Sequence, residues 1–247
     1  MNCDADPVPL VIRQPERGYR FSIDPVLLAG FAAPHCRGDV LDLGTGCGVL
    51  LLLLSRLAPA MRLGVGVEIQ ESLCAFAEGN FRENGLDRRL LAVNADFRGE
   101  VSVVPAAAFG LVVANPPFGA VGRGRPNPHP GKEAARHEVY CTLSELFSAA
   151  VRRLAPVGHF ALVYPHDRLS DILSCARREG MRRVTLRRVH ARKGATPSRV
   201  LVLMSRGEGE VPIEMPPLFL HEGDGKYCPE VESVCRLFRS GSQSATG

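Results

Sequence analysis

Apolar and polar positions alternate along the chain in two rhythms: short runs rich in Val and Leu, and longer stretches whose apolar residues fall three and four apart. Asp24-Pro25 stands before Val26, Leu27, Leu28 and Phe31, which predicts an N-cap and first-turn proline opening a short amphipathic helix that lids one edge of the fold. Val40-Leu41-Asp42-Leu43 predicts a strand, and Gly44-Thr45-Gly46-Cys47-Gly48 turns it into an apolar helix ending near Leu57. A second strand over 63–67 ends on Glu68. The helix expected over 70–84 puts Leu73, Phe76, Ala77 and Phe81 on one face before a stop at Gly85. Strands are expected over 90–93 and 109–114. Thr142-Leu143-Ser144-Glu145 has the spacing of a capping box and starts a helix to about Leu154, followed by a strand over 159–164 and a helix from about Leu169 to Glu179. Two more strands, 183–190 and 199–204, are joined by a link too short for a parallel crossover and must pair antiparallel. The sum is an α/β fold: a seven-stranded, mostly parallel sheet with helices on both faces and an antiparallel last strand.

Between these elements, residues 119–140 hold repeated glycines and prolines with Arg123, Arg125, Lys132 and Arg136, and read as a long mobile loop of the functional kind. The organisation expected is an N-terminal extension with the lid helix over 1–36, one domain over 37–207, and a C-terminal extension over 208–247 whose small polar end is unordered. The chain is 45% hydrophobic and 23% charged, the balance of an ordinary folded protein. Its longest apolar run, 49–54, is far short of the roughly 20 residues of a membrane helix, and no signal segment opens the chain, so no membrane is expected and a cytoplasmic location is. The eight cysteines form no C-x-x-C pair, so neither a metal site nor a disulfide framework is expected. A net charge of +4 is carried unevenly. Arg177, Arg178, Arg182, Arg183, Arg187, Arg188, Arg192 and Lys193 crowd one stretch, which suits either a polyanion such as nucleic acid or a solvated face.

Ligands of an open parallel sheet bind beyond the carboxyl ends of its strands, where the glycine turn, Glu68, Asp96-Phe97 and Asn115 all fall. The turn reads G-x-G-x-G rather than the dinucleotide fingerprint G-x-G-x-x-G. Glu68 ends the second strand, where a carboxylate can accept both hydroxyls of a ribose. Asp96 can take an adenine amino group, and Phe97 can cover the ring. The site is adenosine-shaped, and these residues alone leave NAD open.

Asn115-Pro116-Pro117-Phe118 decides the chemistry. Two prolines fix an extended turn and leave carbonyls without competing local hydrogen bonds. An amino group conjugated to a ring or carbonyl is a poor nucleophile until it is pyramidalised. The Asn115 side-chain oxygen and the Pro116 carbonyl can each hold one of its hydrogens and aim the lone pair at a sulfonium methyl, while Phe118 stacks on the flat target. That combination points to methyl transfer from S-adenosylmethionine to a planar nitrogen.

Taken with these motifs, the sequence resembles bacterial tRNA1(Val) adenine-N6 methyltransferases, which modify the adenine beside the anticodon, and so implies the class I methyltransferase (Rossmann-like) fold. The likeness rests on Tyr19-Arg20-Phe21-Ser22-Ile23-Asp24, the 42–48 turn, Val67-Glu68-Ile69-Gln70, the 80–86 segment, the Asn-Pro-Pro-Phe motif and Ala135-Arg136-His137-Glu138. It implies that Arg20, Ser22 and Asp24 close over S-adenosylmethionine, that Gly44, Gly46 and Gly48 border its methionine part, that Glu68 holds the ribose and Asp96 and Phe97 the adenine, that Asp42, Thr45, Ile69 and Asn115 also bind the cofactor, and that Asn115 to Phe118 hold the target. Relatives often carry Tyr where this chain has Phe118, which removes a hydroxyl and keeps the stacking face.

The nearest rival is N5-methylation of a glutamine in a release factor or other protein, which uses the same motif. Such enzymes carry a helical substrate domain before the first strand, and 39 residues precede Val40 here. Methylation of an amino group in DNA or ribosomal RNA is the next rival, and an RNA-binding module with an inactive pocket the non-enzymatic one. For tRNA, Arg123, Arg125, Arg136, His137, Arg187 and Arg188 are the candidate contacts, in a protein expected to act as a monomer.

Overall fold

A computed structural model describes residues 9–16, 22–116, 141–207, 209, 211–223 and 225–238. The first half alternates strand and helix: β1 (Gly38–Leu43), α2 (Val49–Leu57), β2 (Met61–Glu68), α3 (Glu71–Glu83), β3 (Leu90–Asn94) and β4 (Phe109–Ala114), with α1 (Asp24–Ala32) before them. The second half adds α4 (Leu143–Arg153), β5 (Leu154–Pro165), α5 (Leu169–Arg178), β6 (Arg183–His190) and β7 (Pro197–Ser205), then β8 (Ile213–Glu214), β9 (Leu218–Phe219) and α6 (Pro229–Cys235).

The sheet runs β3-β2-β1-β4-β5-β7-β6-β8, with β9 also on β6. Strands β1 to β5 are mutually parallel, and β7 is antiparallel to both β5 and β6, as the short link between β6 and β7 requires. The class I methyltransferase arrangement therefore stands, enlarged from seven strands to nine. The two additions are two residues long and pair parallel with β6, too short to register as an alternation in sequence.

Two apolar layers flank the sheet. One joins α1, α2 and α3 with Leu10, Val231 and Val234; the other joins α4, α5 and the opposite face of the strands. Segments on both sides of the sheet in sequence thus share its first core. Helix α1 departs from the amphipathic lid expected of it. Asp24, Pro25, Val26, Leu27, Leu28, Ala29, Phe31 and Ala32 are all buried, because the sequence offers no polar face to turn outward. Nor is Asp24 the N-cap. Ile23 holds that place, the Asp24 amide donates to Ser22 Oγ (3.2 Å), and the Asp24 carboxylate faces Arg199 Nε on β7 at 3.4 Å. The capping box at α4 forms as the spacing predicts: the Glu145 amide donates to Thr142 Oγ1 (3.2 Å) and the Thr142 amide to Glu145 Oε2 (2.7 Å). Among the described residues no helix is long and apolar enough to cross a membrane.

Candidate active site

The register sets the candidate residues in one row. Leu43 pairs with Val67 on one side and Ala114 on the other, and Glu68 pairs with Asn94. Gly44, Glu68 and Asn115 are each the next residue after Leu43, Val67 and Ala114 of β1, β2 and β4, at the carboxyl edge. The chain leaves β1 toward β2 and β3 on one side and returns to β4 and β5 on the other, so this row straddles the point where strand order reverses.

Backbone amides tie the glycine turn to β2. Gly44 and Thr45 donate to the Val67 carbonyl at 2.8 and 3.1 Å, and Gly46 donates to Glu68 Oε2 at 2.9 Å. The other oxygen of Glu68 accepts the Gln70 amide at 2.9 Å. Each carboxylate oxygen has a second lone pair, so a buried Glu68 that braces the turn keeps acceptors for a pair of hydroxyls. A side chain at Gly44 would meet open space, whereas a Cβ at Gly48 would sit 2.5 and 2.7 Å from the Phe81 ring. Gly44 fronts the crevice and Gly48 packs α2 against α3. Gly48 is left-handed at φ 78° and immediately precedes α2, whose first amides and positive dipole end face the same crevice.

Asp42 lies beneath the turn. Its Oδ2 accepts from Thr45 Oγ1 at 2.7 Å. Burial, seconded by the Glu68 carboxylate and opposed by the Thr45 hydroxyl, pushes its pKa up to about 7. Asp96 stands in the opposite condition. Arg98 holds it through a forked guanidinium contact, with Nη2 at 2.6 Å, and through its backbone amide at 2.9 Å. These bonds lower its pKa. The ionised Asp96 is half-exposed beyond β3, and the partly buried Phe97 packs at the edge of the second core. Exposed Ile69 follows Glu68, its carbonyl taken by Asn94 Nδ2 at 3.1 Å. Asn115 is half-buried and Pro116 buried. Arg20, Pro117, Phe118, Arg123, Arg125, Arg136 and His137 lie outside the described residues.

Sequence reasoning passed over Asn80 as a working residue. Fully buried in α3, it accepts the Arg13 amide on Oδ1 (2.7 Å) and donates through Nδ2 to the Arg13 carbonyl (2.8 Å) and the Cys47 carbonyl (2.9 Å). One side chain thus couples the N-terminal segment to the glycine turn. The available signal was an amide at the apolar phase of a helix, beside Ala77 and Phe81.

The basic stretch in the second half is not one patch. Arg177 and Arg178 end α5, Arg182 precedes β6 and Arg183 opens it, whereas Arg192 and Lys193 follow its far end, about 23 Å away at the usual strand rise. Arg187 forks onto Glu230 and donates to the Pro216 carbonyl, and Arg188 pairs with Glu214 and donates to His166 Nε2 at 3.0 Å. Both of these candidate tRNA contacts are therefore engaged in bracing the C-terminal segment.

The methyltransferase small domain family matches residues 24–174, more than half of the chain. The chain belongs to this family. Proteins named tRNA1(Val) (adenine(37)-N6)-methyltransferase match it over most of their length: one from Tolumonas auensis at 29% identity over 92% of both chains, and one from Porphyromonas gingivalis W83 at 29% over 89% of this chain and 88% of that one. Among solved structures, a predicted O-methyltransferase from Agrobacterium tumefaciens superposes with TM-score 0.68 at 19% identity, covering 85% of this chain and 94% of its own. A geranyl diphosphate methyltransferase in complex with S-adenosylmethionine does so with TM-score 0.53 at 13% identity, covering 74% and 85%. Both bear out the fold.

Proposed function

We propose that this methyltransferase uses S-adenosylmethionine to methylate the exocyclic nitrogen N6 of an adenine in tRNA, the base beside the anticodon in a tRNA of the valine type. The observation that carries the reading is that Glu68, Gly44 and Asn115 each follow a paired strand end at the reversal of strand order, where Glu68 would serve as the ribose acceptor and Asn115 as the amino-group acceptor. The names of the relatives supply the base and the RNA.

The residues fit the cofactor. Glu68 would hold the ribose hydroxyls, Asp96 and Phe97 the adenine, and the Gly44 to Gly48 turn the methionine end, with Arg20 to Asp24 closing over it. Bound there, S-adenosylmethionine supplies an electrophilic methyl group. Asn115 Oδ1 and the Pro116 carbonyl would each accept one amino hydrogen of the target and so localise its lone pair on nitrogen, with Phe118 against the ring. The methylated nitrogen would be cationic, so its proton would become acidic and pass to solvent. Positioning therefore replaces a strong general base.

The test incubates the protein with labelled S-adenosylmethionine and tRNA from cells lacking the activity, followed by mass spectrometry of the nucleosides. N6-methyladenosine in tRNA is expected. Asn115→Ala should lower turnover at least a hundredfold while cofactor affinity stays within a few-fold. Label in a release factor and in no RNA would overturn the substrate. Full activity in Asn115→Ala would overturn the mechanism.

A further inference from the structure

A second concavity opens where β6 ends. It holds about 1050 Å³ and is walled by Arg187, Arg192, Lys193, Phe219, His221 and Glu222, among others. That is at the upper limit for a small-molecule pocket, and it is an open cleft. We propose that it seats the RNA strand flanking the target nucleotide, an inference that rests on the tRNA reading above.

Position is the first argument. Leu218 and Phe219 pair with Val189 and His190 at the carboxyl end of β6, so the cleft opens on the same edge of the sheet as Gly44 and Asn115. Strand β6 is three places from β4, about 14 Å at the usual strand spacing. A polynucleotide entering one site passes the other.

Charge is the second. Most arginines of this half are already engaged: Arg187 with Glu230, Arg188 with Glu214, Arg168 with Asp171, and Arg206 with the carbonyls of Val151, Leu154 and Ala155. Arg192 and Lys193 are exposed on the turn after β6, and among the described residues their side chains have no ion-pair or hydrogen-bond partner. Glu222 lines the cleft with them and has no ion-pair partner among the described residues. Two free cations on the rim suit phosphates.

The walls supply flat surface for bases. Phe219 lies against His190 with ring centroids 5.3 Å apart, and His221 stacks on the exposed Tyr227 at 4.8 Å and 20°. Single-stranded RNA is held by such stacking together with backbone charge. The wall is also fixed. His221 Nδ1 donates to the Gly225 carbonyl at 3.0 Å, the Glu222 amide to the Lys226 carbonyl at 3.0 Å, and Arg187 ties α6 to β6. Preorganisation of this kind lowers the ordering cost of binding.

The experiment uses the full chain with a tRNA transcript and follows methyl transfer across a salt series, with fluorescence anisotropy of labelled tRNA as a readout independent of turnover. The doubly reversed Arg192→Glu/Lys193→Glu should raise KM and Kd for tRNA at least tenfold, with kcat and cofactor affinity within twofold. Its log–log salt slope should fall by about 1.4–1.8, as two lost phosphate contacts dictate. Phe219→Ala should weaken tRNA several-fold with an unchanged slope. Arg177→Glu/Arg182→Glu, an equal charge change on the opposite edge, should stay within twofold. Wild-type KM, Kd and slope in the Arg192/Lys193 variant, or an equal loss in the control, overturns the cleft as the RNA seat. If the wild-type protein neither binds nor methylates tRNA but methylates a polypeptide, the function proposed above fails instead. A KM for that polypeptide raised by the same two reversals would then assign the cleft to a protein chain and overturn its assignment to RNA.

Discussion

The two halves of the sheet hold themselves together by different means. Around the carboxyl ends of β1 and β2 the polar groups are buried: Asp42, Thr45, Glu68 and Asn80 each bond to backbone or to one another within the glycine turn and its supports. Around β6 they are many and exposed, and arginines reach acids 26 and 43 residues away, Arg188 to Glu214 and Arg187 to Glu230. A buried group that loses its partner keeps its full desolvation cost, whereas an exposed ion pair returns to water. The same number of lost bonds should therefore cost far more in the first half than in the second.

The largest effect is expected where packing and backbone conformation coincide. Gly48→Ala forces a Cβ to 2.5 Å from Phe81 at a φ of 78°. Left-handed strain and overpacking together should cost about 4 kcal/mol, read as a lowered urea midpoint with unchanged m-value, together with loss of cofactor binding. Asn80→Ala comes next. It strands the Cys47 carbonyl and both backbone groups of Arg13, at about 1 kcal/mol each, and cofactor affinity should fall with stability because the turn loses its tether. Cofactor affinity left at the wild-type level would break the link drawn between Asn80 and the site.

The same contrast explains what the sequence disclosed. β1, the glycine turn and α2 are contiguous, so their residues specify one another locally, and the row from Glu68 to Asn115 follows from strand ends alone. The capping box at Thr142 is legible for the same reason. Helix α1 is not one-sided as its apolar spacing implies, because the residues between the spaced positions are apolar as well. The eight basic residues from Arg177 to Lys193 read as a patch only until a strand is laid between them: Arg183 and His190 stand at opposite ends of β6. Strands β8 and β9 owe their place to long-range pairing that no local pattern encodes.

Asp42 allows the buried half to be probed by pH rather than by truncation. Its folded pKa of about 7 lies above the 3.8 of a free aspartate, so between those limits the folded state keeps a proton that the unfolded state has lost. Its contribution to stability is then fully present below about pH 4, declines as pH rises, and levels off above about pH 7. Asp42→Asn removes that slope while keeping an acceptor for Thr45. The stability difference between variant and wild type should widen in the variant's favour by about 2 kcal/mol from pH 5 to pH 6.5, at roughly 1.4 kcal/mol per unit. A constant difference across that range would show that Asp42 ionises in the fold.

The smallest effect should come from the ion pairs of the second half. The Arg188 and Glu214 side chains are 33% and 46% exposed, so each alternative to the pair is hydration rather than an orphaned charge. Glu214→Gln should cost less than about 1 kcal/mol, and raising the salt to 1 M should remove most of that difference. Arg187→Ala should cost somewhat more than Glu230→Gln, because Arg187 is only 15% exposed and also holds the Pro216 carbonyl. Double-mutant cycles on the two pairs measure their coupling directly. A coupling as large as the cost of Asn80→Ala, unmoved by salt, would erase the distinction between the halves and make the C-terminal segment part of the cooperative core.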